Sequence, residues 1–338
     1  LKEKKKKYSK LMTAIGMDNI KNIQQYIAAF RGLDNYAIAE KKFVNNEDIL
    51  IWQIIKRCNF SCSYCGVPNE KSEFDIDIET IKSAFNKEGK RWLVLITGGE
   101  PFLKKNIVDI IEALTDKHYV HINTNLSTAN IEEFAHRINP KNVYGLNIAA
   151  HILEREKHDK DFKQFVYNIN LLQDKGFPLF ISYVFHPELK NRVDEDFKLF
   201  KQAGVKEITL RPFMGNYKNV QYPAAYTDEE MEYLKKYGKQ DYELGTDVSK
   251  VVFKNNSCLA GKRTFFIDEK GLVYRCEPYY KANRLAVYGN FFDGTFKPDK
   301  AEKTCTLDGT TCPFQCLFYA KKKNRSFINF ICNLKNHL

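Results

Sequence analysis

The tightest group of reactive side chains lies in "KRCNFSCSYCGVPN", residues 56–69, where Cys58, Cys62 and Cys65 follow CxxxCxxC spacing with Tyr64 directly before the third. Three thiolates this close can hold three corners of a [4Fe–4S] cube and leave one iron open to a small ligand. Zinc is the competing occupant. A closed zinc site needs four ligands, however, and no cysteine or histidine lies within 50 residues after Cys65. A second group is "TGGEP", residues 97–101. Gly98 and Gly99 remove side chains so that backbone can approach a ligand, and Glu100 offers an anion suited to a ligand ammonium. A third is "NTN", residues 123–125, and six more cysteines follow residue 250.

These groups need a frame. "ILIWQII" (49–55) reads as a buried strand running into the cysteine loop, followed by a helix over 77–87. Strands at 92–98, 119–124, 143–149, 179–185 and 207–213 then alternate with helices at 106–116, 128–138, 161–175 and 193–203. Such alternation predicts a parallel sheet with right-handed crossovers. Six strands fall short of the eight that close a TIM barrel, which leaves a partial barrel or an open doubly wound sheet. In either, functional residues gather on loops leaving the C-terminal ends of strands. The cysteine loop, GGE and NTN follow the first, second and third strands, so they converge on one rim. Residues 8–31 read as helical, with Leu11, Ile15, Ile20, Ile23 and Ile27 at three- to five-residue spacing. After a linker helix near 227–238 comes a hairpin, "TFFIDEKGLVYRC", with Gly271 at its turn.

Composition excludes several classes. With 43% hydrophobic and 28% charged residues the chain can bury a large core and is not disordered. No run of about 18 apolar residues occurs, so no membrane span is expected. The start, "LKEKKKKYSK", has positive charge without an apolar stretch behind it, unlike a secretory signal, and Leu1 rather than Met suggests a piece of a longer product. Nine cysteines without an export signal favour thiolate or metal chemistry in a reducing cytoplasm. The formal charge of +11 comes without an aromatic-interleaved basic stripe, so no nucleic-acid partner is expected; a solvated basic face, a phosphate-bearing substrate or an acidic electron donor all accommodate it.

The cysteine motif on the first loop and GGEP after the second strand resemble the radical S-adenosylmethionine (SAM) enzymes over residues 49–213. The resemblance implies a partial (β/α)6 TIM barrel with Cys58, Cys62 and Cys65 as cluster ligands and SAM on the fourth iron. One electron would cleave SAM to methionine and a 5′-deoxyadenosyl radical, which abstracts a substrate hydrogen. Tyr64 matches the aromatic near the adenine, and Gly98, Gly99 and Glu100 match the segment holding the methionine end. Asn125, Asn147 and Arg155 are carried over as further SAM contacts, although Asn-Ile-Ala replaces the usual Ser-Leu-Asp pattern at residues 147–149. His151 and Arg211 are candidate catalytic residues: His151 as a substrate-facing acid or base or a satisfied loop histidine, Arg211 as a substrate contact or a brace.

The spacing from Cys258 through Gly271 to Cys276 resembles the SPASM and twitch auxiliary-cluster domains, a small α+β module. The twitch form would place one auxiliary [4Fe–4S] cluster on Cys258, Cys276, Cys312 and Cys316, with Cys305 as a possible replacement. A rival account adds a second cluster on Cys305, Asp308, Cys312 and Cys332; Cys332 also reads as a core cysteine. The expected organisation is an N-terminal helical extension (1–48), a radical SAM core (49–215), a linker helix (216–249), the auxiliary domain (250–322) and a helical tail (323–338). An auxiliary cluster favours dehydrogenation, cross-linking or epimerisation, hence an oxidoreductase or epimerase. Peptide-modifying relatives commonly carry a longer N-terminal recognition domain, so the expected substrate is a small carbohydrate-like molecule, phosphorylated or nucleotide-linked. Peptide or protein maturation is the alternative, and a non-catalytic iron–sulfur carrier the second. A flavodoxin- or ferredoxin-type donor is the expected partner.

Overall fold

The computed structural model describes residues 48–307 except 72–73, 88, 158–160, 214, 238–254, 256, 284 and 286–287. The helix expected over 8–31, the 323–338 tail, and Asp308, Cys312, Cys316 and Cys332 lie outside the described residues. Six parallel strands form the frame: β1 (Asp48–Ile55), β2 (Trp92–Gly98), β3 (Tyr119–Thr124), β4 (Val143–Ala149), β5 (Leu179–Phe185) and β6 (Thr209–Pro212), paired in chain order. Between them run α1 (Ile78–Asn86), α2 (Ile107–Thr115), α3 (Asn130–Arg137), the single-turn α4 (Ile152–Arg155), α5 (Asp161–Asp174) and α6 (Val193–Gln202); α7 (Asp228–Tyr237) follows β6. The fold is thus mixed α/β, with the mostly parallel sheet of a partial TIM barrel.

Local sequence accounts for these elements. Asp77 caps α1 by accepting from Thr80 N at 2.8 Å, and the helix buries Ile81 and Phe85, one turn apart. In α2 Ile107, Ile110, Ile111 and Leu114 form one buried stripe. Along β2 buried Trp92, Val94 and Ile96 alternate with half-buried Leu93, Leu95 and Thr97. One face therefore packs under the helices while the other is left for a site.

The hairpin of the C-terminal cysteine region joins the barrel sheet. β10 (Thr264–Ile267) lies parallel to β1 with Ile51 opposite Phe266, and β11 (Val273–Tyr274) completes the hairpin, giving the order β11-β10-β1-β2-β3-β4-β5-β6. The physical reason is the free edge of β1. As the first strand of the barrel it has one unpaired side, and a long apolar edge is unstable in water. Asp48 fixes the join by accepting from Arg263 Nε at 2.6 Å and Lys90 Nζ at 2.8 Å. A short hairpin not foreseen from sequence, β7 (Gly215–Tyr217) with β8 (Val220–Tyr222), precedes α7. Nearer the C-terminus, β9 (Ser257–Cys258) pairs with β12 (Lys303–Thr304), and α8 (Glu277–Lys281) starts beside Cys276.

His118 gives the fold a pH signature. It is 3% exposed, its Nδ1 accepts from Trp92 N at 3.3 Å, and Nε2 finds no hydrogen-bond partner among the described residues. Burial pushes the ring down from 6.5 to about 4. Because the unfolded chain binds this proton more readily, stability is full above pH 6.5 and falls as pH drops towards 4, by about 3 kcal/mol from this group. His118→Asn keeps an acceptor near Nδ1 and removes the titration. Melting temperatures of wild type and H118N should therefore converge as pH falls from 7 to 4, and a gap independent of pH contradicts the assignment.

Candidate active site

The cysteine loop leaves β1 and is tied down by backbone before any cysteine is reached. Gly99 N donates to Ile55 O at 2.8 Å and Glu100 N to Arg57 O at 3.0 Å, zipping the loop after β2 onto the loop after β1. This contact explains both glycines. A Cβ on Gly98 would meet Ile55 O at 2.1 Å, and one on Gly99 would meet Arg57 O at 2.2 Å. The missing side chains thus admit the neighbouring loop.

Glu100 is likewise turned inward. At 1% exposure its carboxylate accepts from Asn125 N at 2.6 Å, Thr124 Oγ1 at 2.8 Å and Phe102 N at 3.0 Å. Burial pushes it up to about 7 against the pull of those donors. The carboxylate joins the second loop to the third and is not presented to a ligand ammonium; only the backbone of this segment remains for that purpose. Asn125 continues the junction. Its Nδ2 donates to Asn59 Oδ1 at 3.0 Å and lies 4.0 Å from Cys58 Sγ, while its Oδ1 accepts from Ser127 N at 3.0 Å.

The cysteine loop itself is ordered by side chains that sequence reading passed over. Asn69 clasps the Cys58 backbone at both N and O, each at 3.0 Å. Cys58 Sγ accepts from Phe60 N at 3.4 Å and Cys65 Sγ from Val67 N at 3.5 Å, the same local turn twice. Burial raises the Cys58 and Cys62 thiols, Cys62 to about 12.

From the far side the loop is gripped by α4. Glu154 Oε2 accepts from Ser61 N at 3.1 Å, and His151 Nδ1 lies 2.8 Å from Tyr64 Oη and 3.4 Å from Cys62 Sγ. Arg155 is 1% exposed, with Nε donating to Ala150 O at 2.6 Å and a second nitrogen to Asn125 O. Its guanidinium stacks 3.6 Å over Phe165 and faces Phe60 at 5.3 Å. Arg155 is therefore neither a solvated helix residue nor a ligand contact; it braces the third and fourth loops against the first. His151 adopts a left-handed conformation, φ 45°, that turns its ring onto Tyr64 rather than outwards. Burial and the Arg155 charge push the ring down to about 4, so it is neutral at neutral pH. The signal that could have found Glu154 is its spacing, one helical turn after His151. Nothing local marks Asn59 or Asn69.

Tyr64 stands at the centre, its ring stacked on His151 at 5.8 Å and edge-on to Phe213 at 5.7 Å. Across the inner face of the sheet, register sets Gln53, Thr97, Asn123 and Asn147 in one row. Asn147 Nδ2 donates to Asn123 Oδ1 at 3.0 Å, and Asn123 Nδ2 to Thr97 Oγ1 at 3.3 Å. The Asn147 Oδ1 is buried without a hydrogen-bond partner among the described residues. At the other end Gln53 Nε2 donates to Tyr280 Oη at 3.3 Å and Glu269 Oε2 at 3.4 Å, and Glu269 pairs with Lys56 at 3.1 Å, linking the row to the C-terminal hairpin. Arg211 is half-buried on β6, opposite Val184.

In the C-terminal region Cys258 and Cys276 are buried together with Leu259 and Ala260. Cys258 Sγ accepts from Ala260 N at 3.4 Å, the turn already seen at Cys58 and Cys65. Pairing of β9 with β12 sets Lys303 opposite Cys258, with Cys305 two residues further on. Lys281, at the end of α8, reaches within 4.0 Å of where a Gly66 Cβ would lie. The helix that begins at Cys276 therefore borders the first cysteine loop.

Comparison with known proteins agrees with this geometry. Residues 52–200 match the model of the Radical SAM superfamily. A "Probable GTP 3',8-cyclase" of Saccharolobus solfataricus is 25% identical over 174 residues, 48% of this chain and 56% of that protein. One of Archaeoglobus fulgidus is 33% identical over 109 residues, 31% and 36% of the respective lengths. The chain thus spans about half the length, or less, of these curated relatives. Among solved structures, Streptococcus suis SuiB bound to its precursor peptide SuiA superposes with a TM-score of 0.54 at 14% identity, over 87% of this chain and 75% of that one. Native anSMEcpe with bound AdoMet gives 0.52 at 16% identity, over 74% and 79%. At these identities the two structures bear on the fold alone.

Proposed function

We infer that this chain, whose residues 52–200 form a radical SAM domain, binds SAM at a cluster on Cys58, Cys62 and Cys65 and uses it to take a hydrogen atom from a hydroxyl-bearing small molecule of carbohydrate or nucleotide type. The residues fit the cofactors: three thiols on one short loop, N–H donors already on two of the sulfurs, and a buried acceptor, Asn147 Oδ1, with no partner among the described residues and open to a donor such as a ribose hydroxyl. When bound, the [4Fe–4S] cluster and SAM supply one-electron cleavage of SAM and a carbon radical that abstracts hydrogen. The chain's own part is positional. Tyr64 forms an aromatic wall beside the loop, and Glu100, Asn125 and Arg155 hold four loop ends in register. Gly98 and Gly99 let the first two loops dock. Arg211 remains a candidate substrate contact.

The observation that carries the substrate reading is the polar row Gln53–Thr97–Asn123–Asn147 on the inner face of the sheet, running from the SAM side to Tyr280 and Glu269. A row of amides and hydroxyls suits a ligand rich in donors and acceptors and offers little to an apolar one. The curated relatives named as GTP cyclases support a nucleotide within that class. An auxiliary cluster on Cys258 and Cys276 is supported by their shared burial and by the Cys258 turn, with Cys305 placed to join them. Cys312 and Cys316 remain proposed ligands outside the described residues. A basic surface would suit an acidic flavodoxin- or ferredoxin-type donor.

Peptide maturation is the second reading. It is favoured by the outer edge of β6, which ends the sheet and could take an extended chain as a further strand. SAM cleavage by the reconstituted protein separates the two. Sugar nucleotides, nucleoside triphosphates, aminocyclitols and unrelated peptides are added singly while 5′-deoxyadenosine is followed. Stimulation by a member of the first three classes is expected; stimulation by peptides alone overturns the small-molecule reading.

A further inference from the structure

The loop after β4 meets the cysteine loop at consecutive residues: Arg155 on Phe60, Glu154 on Ser61, His151 on Cys62 and Tyr64. Three side chains from one helical turn so aligned make a clamp, and one of them brings a ring nitrogen within hydrogen-bond distance of a candidate cluster ligand. His151 is held for this by its backbone and its neighbours. Its left-handed conformation is uncommon outside glycine and asparagine, and the ring is packed between Tyr64, stacked at 5.8 Å, and Phe60, edge-on at 5.9 Å. A ring fixed in this way keeps Nδ1 3.4 Å from Cys62 Sγ.

We propose that His151 is a positioning residue for the cluster, its Nδ1–H donating to Cys62 Sγ and so favouring the reduced cluster. The inference rests on the reading that Cys58, Cys62 and Cys65 hold a [4Fe–4S] cluster. A sulfur bound to iron is an acceptor only, so the neutral ring gains by carrying its proton on Nδ1, where Sγ and the Tyr64 oxygen can share it. Reduction adds one negative charge to the cluster, and a donor aimed at a ligand sulfur stabilises that charge. Hydrogen bonds to the sulfurs are among the determinants of cluster potential. No electron or proton passes through His151; the electron comes from the external donor.

The test is a redox titration of the reconstituted full chain by electron paramagnetic resonance, following the signal that changes on adding SAM. His151→Phe keeps the ring packing and removes both nitrogens. His151→Asn tolerates the left-handed backbone and offers Nδ2–H in place of Nδ1–H. H151F should retain its iron and be about tenfold harder to reduce, about 59 mV lower for one electron. H151N should lie close to wild type. An unchanged potential in H151F with full iron overturns the proposal. Should H151F bind no cluster, H151N decides: a potential near wild type supports the donor, and a tenfold loss overturns it. If wild type itself shows no SAM-sensitive cluster, the cluster reading has failed and the proposal falls with it. If the signal is present and indifferent to both variants, only the proposal fails.

Discussion

Replacing Cys58, Cys62 and Cys65 together by alanine should abolish reductive SAM cleavage and remove about four irons per chain while the protein stays folded. Activity disappears because, among the described residues, no other set of thiols borders the GGE junction. The fold persists because the loop is anchored by groups that the substitution leaves alone, namely Asn69 on the Cys58 backbone, Glu154 on Ser61 N, and Gly99 and Glu100 on the end of β1. Cys65 is exposed, and Cys58 and Cys62 are only half-buried, so little packing is lost. Iron left on the triple variant reports on the C-terminal module. About four irons would support one auxiliary cluster; about eight would mean two, would bring Cys305 and Cys332 in as ligands, and would favour peptide maturation. None would remove the auxiliary-cluster proposal. Iron, sulfide and a melting curve decide between these.

Gly99→Ala should cost nearly as much activity by a different route. A single methyl group would sit 2.2 Å from Arg57 O and 2.4 Å from Lys56 O, both backbone atoms that cannot swing aside. The two loops must separate, which breaks the Gly99–Ile55 and Glu100–Arg57 hydrogen bonds. Two buried pairs lost together with the displaced Glu100 amount to about 3 to 5 kcal/mol, among the larger single-residue effects. Gly176 supplies the control. It has φ +81° and nothing within 4 Å of a would-be Cβ, so Gly176→Ala bears only the conformational cost of about 1 to 2 kcal/mol. G99A should lose both thermal stability and bound iron, whereas G176A should lose a little stability and no iron. Equal behaviour of the two would mean that the loop junction does not hold the cluster site.

Much of this architecture was legible in the sequence because parallel strands buried between helices write themselves as short, dense apolar runs. β2, β3, β4 and β5 fall where "WLVLITG", "YVHINT", "VYGLNIA" and "LFISYVF" put them. What stayed hidden was long-range or side-chain-specific. No local pattern says that Phe266 will pair with Ile51 across more than 200 residues, since the driving force is the free edge of another strand. The row Gln53–Thr97–Asn123–Asn147 depends on register between strands, which single-strand periodicity does not carry. Arg155 misled for a similar reason. A charged residue on a short helix reads as exposed until Phe165, Phe60 and three backbone carbonyls are found around it. The glycines carry a second need that no local pattern shows: room for the neighbouring loop, whose backbone a Cβ would strike.

The central claim is that the CxxxCxxC loop holds a cluster with one iron open to SAM. Its most direct test is 5′-deoxyadenosine formation by the anaerobically reconstituted wild-type chain, given SAM and a strong one-electron reductant, beside the triple cysteine variant. The account predicts 5′-deoxyadenosine and methionine in equal amounts from the wild type and neither from the variant. A fully reconstituted wild type that leaves SAM intact, with or without candidate substrates, would contradict it and return the chain to the carrier alternative.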